Sequence, residues 1–118
     1  MKYSVIDLQR ELIESYQKYR KDYLKYARKI KEIAEEFFKE NLLKVIVFGS
    51  TVKGNFKPWS DIDVAIILKE RVNEIEIAKF IGKINKLFGI HPFEIHVIPL
   101  KFWEEWYSKF IKKDWVEV

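Results

Sequence analysis

From about Val5 to Glu40, apolar side chains return every third or fourth residue: Leu8, Leu12, Tyr16, Tyr19, Tyr23, Tyr26, Ile30, Ile33 and Phe37. This spacing lines one face of a helix, and no Gly or Pro interrupts it, so it predicts one long helix or two in close succession. The period then changes. LLKVIVFG, residues 42–49, is a β-branched run that reads as a first strand, and DIDVAIIL, residues 61–68, reads as a second. Between them GSTVKGNFKPWS carries two of the four Gly and one of the three Pro and reads as a loop. Helical spacing resumes from Asn73 to Phe88 through Ile75, Ala78, Ile81, Ile84, Leu87 and Phe88, and Gly89 closes that helix. PFEIHVIP, residues 92–99, is a third predicted strand between prolines, and Phe102, Trp103, Trp106, Tyr107, Phe110 and Ile111 predict a short C-terminal helix.

Strands alternating with helices in a chain of 118 residues predict one α/β (or α+β) domain over 1–118. A helical leader, 1–41, precedes a core, 42–118. The expected architecture is a small mixed sheet with a site on one face, helices packed on the other, and a long N-terminal helix. That helix exceeds what a small core needs, and its row of tyrosine hydroxyls must reach polar partners, which suits a half-wet association surface with a second chain.

Composition narrows the function classes. With no cysteine there is no disulfide framework and no thiolate metal site. No apolar run is long enough to span a bilayer, and MKYSVIDLQRELIE lacks the apolar block of a signal peptide, so a soluble, cytoplasmic protein with no membrane partner is expected. The net charge of +4 is modest, but Lys18, Arg20, Lys21, Lys25, Arg28, Lys29 and Lys31 face only Asp22 in segment 18–31. That stripe is either a solvated helix face or a surface for phosphates, and RNA binding through it would fall steeply with salt. No aromatic-plus-basic sheet motif accompanies it, which ranks nucleic acid last among the partners.

The chemistry concentrates in residues 45–68. Asp61 and Asp63 begin an otherwise apolar strand and, being two apart, leave the same face of the sheet. Their Cα atoms are expected about 6.5 Å apart, from which two carboxylates converge on a divalent ion or flank an ion pair. No basic residue beside them in the strand offsets their desolvation, whereas a hard cation would. Gly49-Ser50 stands where the first strand ends, and there a missing side chain, a hydroxyl and nearby amides suit a phosphate. Glu94 interrupts the third strand as the two aspartates interrupt the second. If the two strands pair, it joins the same face, as a metal ligand able to accept a proton from an attacking hydroxyl.

GS, ten residues, then DID, with a third acid on a later strand, resembles the minimal nucleotidyltransferases of the DNA polymerase beta superfamily. The likeness is closest to the antitoxin type partnered with HEPN proteins. It covers residues 43 to about 98 and implies the nucleotidyltransferase fold. It also implies transfer of AMP from ATP to a hydroxyl acceptor on a partner HEPN toxin, with release of pyrophosphate. In that mapping Asp61 and Asp63 bind two Mg²⁺, Glu94 joins the metal site and serves as base, and Gly49, Ser50 and Lys53 hold the triphosphate, with Lys57 a further phosphate contact. The chain departs from the pattern in having Glu where many small members have Asp, and in its helical leader.

Other readings stand beside this one. Asp61 alone would be a turn cap after Pro58-Trp59-Ser60, and Asp63 or Glu94 alone an exposed strand charge. His96 shares the face of Glu94 but has no second histidine nearby and reads as structural, and His91 carries no role. The Trp103, Trp106, Tyr107 and Phe110 group reads as core, any Trp left exposed marking a protein interface. A catalytically silent antitoxin, or a nucleotide sensor acting by contact through the long helix, is the alternative function.

Overall fold

The computed structural model describes residues 4–111 and 114–118, and the side chain of Phe110 lies outside what is described. The N-terminal periodicity resolves into two helices, α1 (Val5–Lys21) and α2 (Tyr23–Phe38), which meet at Asp22. A capping box starts α1: Ser4 Oγ accepts from the Asp7 N–H, and the Asp7 carboxylate accepts from the Ser4 N–H. A 3-10 turn (Lys39–Asn41) leads into β1 (Leu42–Phe48). The expected loop contains one short helical turn, α3 (Ser50–Lys53), before β2 (Ile62–Leu68). The helix α4 (Glu74–Phe88) is capped by Asn73, whose side chain accepts from the Glu76 N–H, and it stops at Gly89 with φ 70°. Strand β3 (Phe93–Pro99) follows, then α5 (Leu100–Phe102), a π-helical turn (Trp103–Tyr107) and α6 (Ser108–Ile111).

A fourth strand, β4 (Trp115–Glu117), has no counterpart in the sequence reading. At three residues it is too short to show a period, and only its antiparallel pairing with β1 makes it a strand. The sheet order is β3-β2-β1-β4. β1 and β2 are antiparallel, while β2 and β3 are parallel and joined through α4, so the sheet is mixed as expected.

Alternation along the strands sorts two clusters onto opposite faces. Val45, Val47, Ile62, Val64, Ile66 and Leu68 pack against Ala27, Ile30, Ala34 and Phe38 of α2, Phe80 and Ile84 of α4, and Tyr19 of α1. The other face carries a smaller cluster, in which Ile46, Ala65, Ile67 and Ile98 are covered by Trp103 with Tyr107 and Ile111. The C-terminal segment therefore packs on the face that holds the acids, where only the site was expected. Burial on both faces explains why VAIIL reads as an unbroken apolar run. Trp103 is core, as read, while Trp106 is 56% exposed.

The leader is not a free arm. α2 forms much of the principal core, so packing continues across residue 41. Tyr19 is buried, and its hydroxyl donates to the Phe88 carbonyl at 2.6 Å, which corrects the half-wet reading at that position. Ser15 Oγ likewise donates to the Ile90 carbonyl at 2.6 Å, docking α1 on the turn after α4. Among the described residues no helix is long and apolar enough to cross a membrane.

Candidate active site

Parallel pairing of β2 with β3 sets Asp63 directly beside Glu94 and Ala65 beside His96. Because partners in a parallel ladder point to the same face, Asp63, Glu94 and His96 gather at one end of the sheet. One ligand atom from each lies within 4.8 Å of the others. His96 Nε2 stands 3.1 Å from Asp63 Oδ1 and 3.9 Å from Glu94 Oε1. The expected meeting of Asp63 and Glu94 is therefore present, and His96, read as structural, belongs to the same group. Its position two residues beyond Glu94 was the available signal, and pairing with an acid on another strand was the missing one.

The cluster sets two carboxylates against one imidazole. Partial desolvation holds the Glu94 carboxyl above its ordinary value, with the charges of Asp63 and Asp61 adding to the rise and His96 opposing it. The hydrogen bond to Asp63 raises the pKa of His96, against its partial burial and together with the charges of Asp63 and Glu94. Carboxylate oxygens on one face, mutually repelling and half open to solvent, suit a hard divalent ion.

Asp61 lies just ahead of β2, exposed, outside the tight group. Its charge nevertheless reaches Glu94, Tyr16 and Arg20. The sequence placed Arg20 in the basic stripe, but it is 8% exposed and hydrogen-bonded to Thr51 and Ser60. Lys31 leaves the stripe too, donating to the Val118 carbonyl at 2.8 Å, and Lys29 pairs with Glu32. Lys18, Lys21, Lys25 and Arg28 remain exposed.

Gly49 has φ 87°, a region that disfavours any side chain. A Cβ there would also stand 2.7 Å from Asp63 Oδ2, so that carboxylate would have to move to admit one. Phe48 pairs with Asp63 across β1 and β2, which puts the Gly49-Ser50 turn at the acid end of the sheet. Ser50 opens α3 and is half-buried. Lys53 faces Asp114 at 3.6 Å rather than the acid group, and Lys57 lies 5.6 Å from the Trp59 ring centroid.

The sequence profile described as nucleotidyltransferase domain matches residues 27–117. The chain belongs to the nucleotidyltransferase domain family. No curated protein is a significant match. A crystal structure provisionally named as a nucleotidyltransferase is 32% identical, with TM-score 0.62 over 79% of this chain and 97% of the other. Another so named, from Sulfolobus solfataricus, is 27% identical, with TM-score 0.56 over 90% of this chain and 84% of the other. A chain of the complex between an MNT antitoxin and the tri-AMPylated HEPN toxin of Shewanella oneidensis shares the fold at 14% identity, with TM-score 0.53 over 77% of this chain and 66% of that one.

Proposed function

We propose that this nucleotidyltransferase-family chain transfers AMP from ATP to a hydroxyl of a HEPN-type partner and thereby acts as an antitoxin. The observation that carries the reading is the side-by-side register of Asp63 and Glu94, with His96 against them, at the end of the sheet where the Gly49-Ser50 turn lies. The fold shared with a chain of the complex between an MNT antitoxin and an AMPylated HEPN toxin supports the choice of partner.

In this reading Asp61, Asp63 and Glu94 would hold two Mg²⁺ ions. When bound, the metal neutralises charge on the triphosphate and lowers the barrier to attack at the α-phosphorus. The acceptor hydroxyl forms a new O–P bond at that phosphorus while the bridging bond to the β-phosphate breaks and pyrophosphate leaves. Glu94, beside Asp63 in the ladder, takes the hydroxyl proton. His96 orients Asp63 through the 3.1 Å contact. Ser50 and the amides of the Gly49 turn receive the phosphates, with Lys53, paired to Asp114, as a cation at the rim.

Incubation with α-phosphate-labelled ATP and Mg²⁺ in lysate of the source organism, wild type beside Asp63→Asn, tests this directly. Label on one discrete macromolecule with wild type alone supports transfer and identifies the acceptor class. Equal labelling by Asp63→Asn would refute it. A second reading, a contact-acting antitoxin or nucleotide sensor, is favoured by the exposed apolar row Val5, Ile6, Leu8 and Leu12 on α1. It requires the Asp61→Asn, Asp63→Asn double variant to neutralise the partner fully.

A further inference from the structure

The loop that carries the Gly49-Ser50 turn and delivers Asp61 has little packing of its own. Residues 53–59 are all exposed, and the Lys57 and Ser60 hydrogen bonds across the Pro58-Trp59 turn are local. Its start is held by Asp114, through the Lys53 pair and the Gly49 N–H, and the tie that joins its two ends comes from α1, ahead of residue 27 where the family match begins. Arg20 Nη1 donates to Thr51 Oγ1 at 2.6 Å, and Nη2 donates to the Ser60 carbonyl. The guanidinium carbon lies 4.3 Å from the centroid of the Phe56 ring, midway along the same loop. Thr51 is itself buried.

Three features argue that this arrangement does more than fill space. A guanidinium is a planar fork, so one rigid group fixes the distance between two acceptors that are nine residues apart in the chain. Those acceptors bracket the segment: Thr51 sits two residues after Gly49, and Ser60 immediately precedes Asp61. Burying the charge is costly, and Arg20 Nε has no partner among the described groups, so the fold retains an expensive residue where an apolar one would pack more easily. Burial lowers the Arg20 pKa while Asp61 opposes that, the sign expected when the cation faces the acid it helps to hold.

We propose that Arg20 is a positioning residue for the acid set, clamping Thr51 to Ser60 and thereby fixing where Asp61 and the Gly49-Ser50 turn stand. This rests on the metal-binding reading of the acids. It assigns the leader helix a part in the site and not only in association, because a chain lacking α1 would lose the tie between Thr51 and Ser60 that stands just ahead of Asp61.

The test uses the full chain and Mn²⁺ alone as probe, with calorimetric affinity and amide hydrogen exchange as readouts, for Arg20→Met, Arg20→Lys, Thr51→Val and the exposed control Lys18→Met. Arg20→Met and Thr51→Val should bind Mn²⁺ about tenfold more weakly, the size expected for an outer group that orients ligands. Exchange across 50–61 should quicken while β2 and α4 stay protected. Arg20→Lys should not recover affinity, since an ammonium on a flexible stem lacks the rigid planar fork that sets both acceptors, and Lys18→Met should match wild type.

A merely structural role would lower the melting temperature but leave the affinity of the folded protein unchanged. That result, or full rescue by Arg20→Lys, overturns the proposal. If Arg20→Met does not fold, Thr51→Val and Arg20→Lys decide the matter. If wild type binds no Mn²⁺, the reading of the acids fails instead, and unchanged exchange over 50–61 in Thr51→Val would overturn the clamp separately.

Discussion

The two faces of the β2–β3 pair are built from alternate residues of the same strands, yet they differ completely. On the helix-covered face Ile62, Val64 and Ile66 are apolar and buried from one end of β2 to the other. On the other face Ala65, Ile67 and Ile98 are apolar beneath Trp103, but Asp63, Glu94 and His96 occupy the end that this cover does not reach. Burial explains the first face entirely. On the second it explains one half, and the remainder is a group of ionisable side chains crowded against one another at some electrostatic cost. Charges meant only for solubility would be spread apart. Here their ligand atoms converge within 4.8 Å, which is what makes the open end of that face the candidate site.

The strongest way to break this contrast is to change one residue on each face. Asp63→Asn should reduce nucleotidyl transfer by at least about a hundredfold, with little change in melting temperature. Ile66→Ala should instead cost about 2–5 kcal/mol of stability in chemical denaturation, with transfer by the folded fraction preserved. Equal stability losses from both would make Asp63 a structural residue.

Gly49→Ala should act on both quantities. Its Cβ would press on Asp63 Oδ2 and sit at φ 87°, so a loss of about 1–3 kcal/mol is expected together with weakened Mn²⁺ binding. Unchanged affinity would place the carboxylate elsewhere in solution.

Glu94→Gln should lower transfer by about ten- to a hundredfold while leaving stability at neutral pH equal or slightly higher. The sign follows from linkage: a carboxyl whose folded pKa is raised holds its proton more tightly in the fold. Its ionisation therefore withdraws stability as pH rises through that pKa. A clear loss of stability in Glu94→Gln, measured by urea denaturation, would contradict the crowding of charges.

The smallest effect belongs to His91, on the covered side. Its Nε2 lies 2.7 Å from Asn85 Oδ1 and its Nδ1 accepts the Phe93 N–H at 3.0 Å, so both nitrogens are satisfied by the neutral ring. Burial lowers its pKa below the ordinary 6.5. Stability is then fully present above pH 6.5 and declines as pH falls toward the lowered folded value. Melting curves between pH 7.5 and about 5 should show that decline, and His91→Gln should flatten it.

Much of this protein was legible before the fold was described. The helical periods from Val5 to Glu40 and from Asn73 to Phe88 became α1, α2 and α4, and each predicted strand appeared within a residue or two. Asp63 and Glu94 stood out because a carboxylate in an apolar strand demands a reason, and their adjacency was anticipated if β2 and β3 paired. What could not be read were groups whose meaning depends on a distant partner. β4 exists through β1, His96 joins the site through Asp63, and Arg20 looked like one more cation of a basic stripe until Thr51 and Ser60 closed over it.

By itself, then, the sequence determined the local conformations, the family motif and the residue types able to do phosphoryl chemistry. These follow from spacing along the chain, through helix and strand periods and the needs of a turn. Only the tertiary structure decided the parallel register of Asp63 with Glu94, the burial of Arg20 and the second layer under Trp103. The reason is that a residue's charge and hydrogen-bond capacity are local, whereas its solvation and its partners are set by whichever strands and helices come to lie against it.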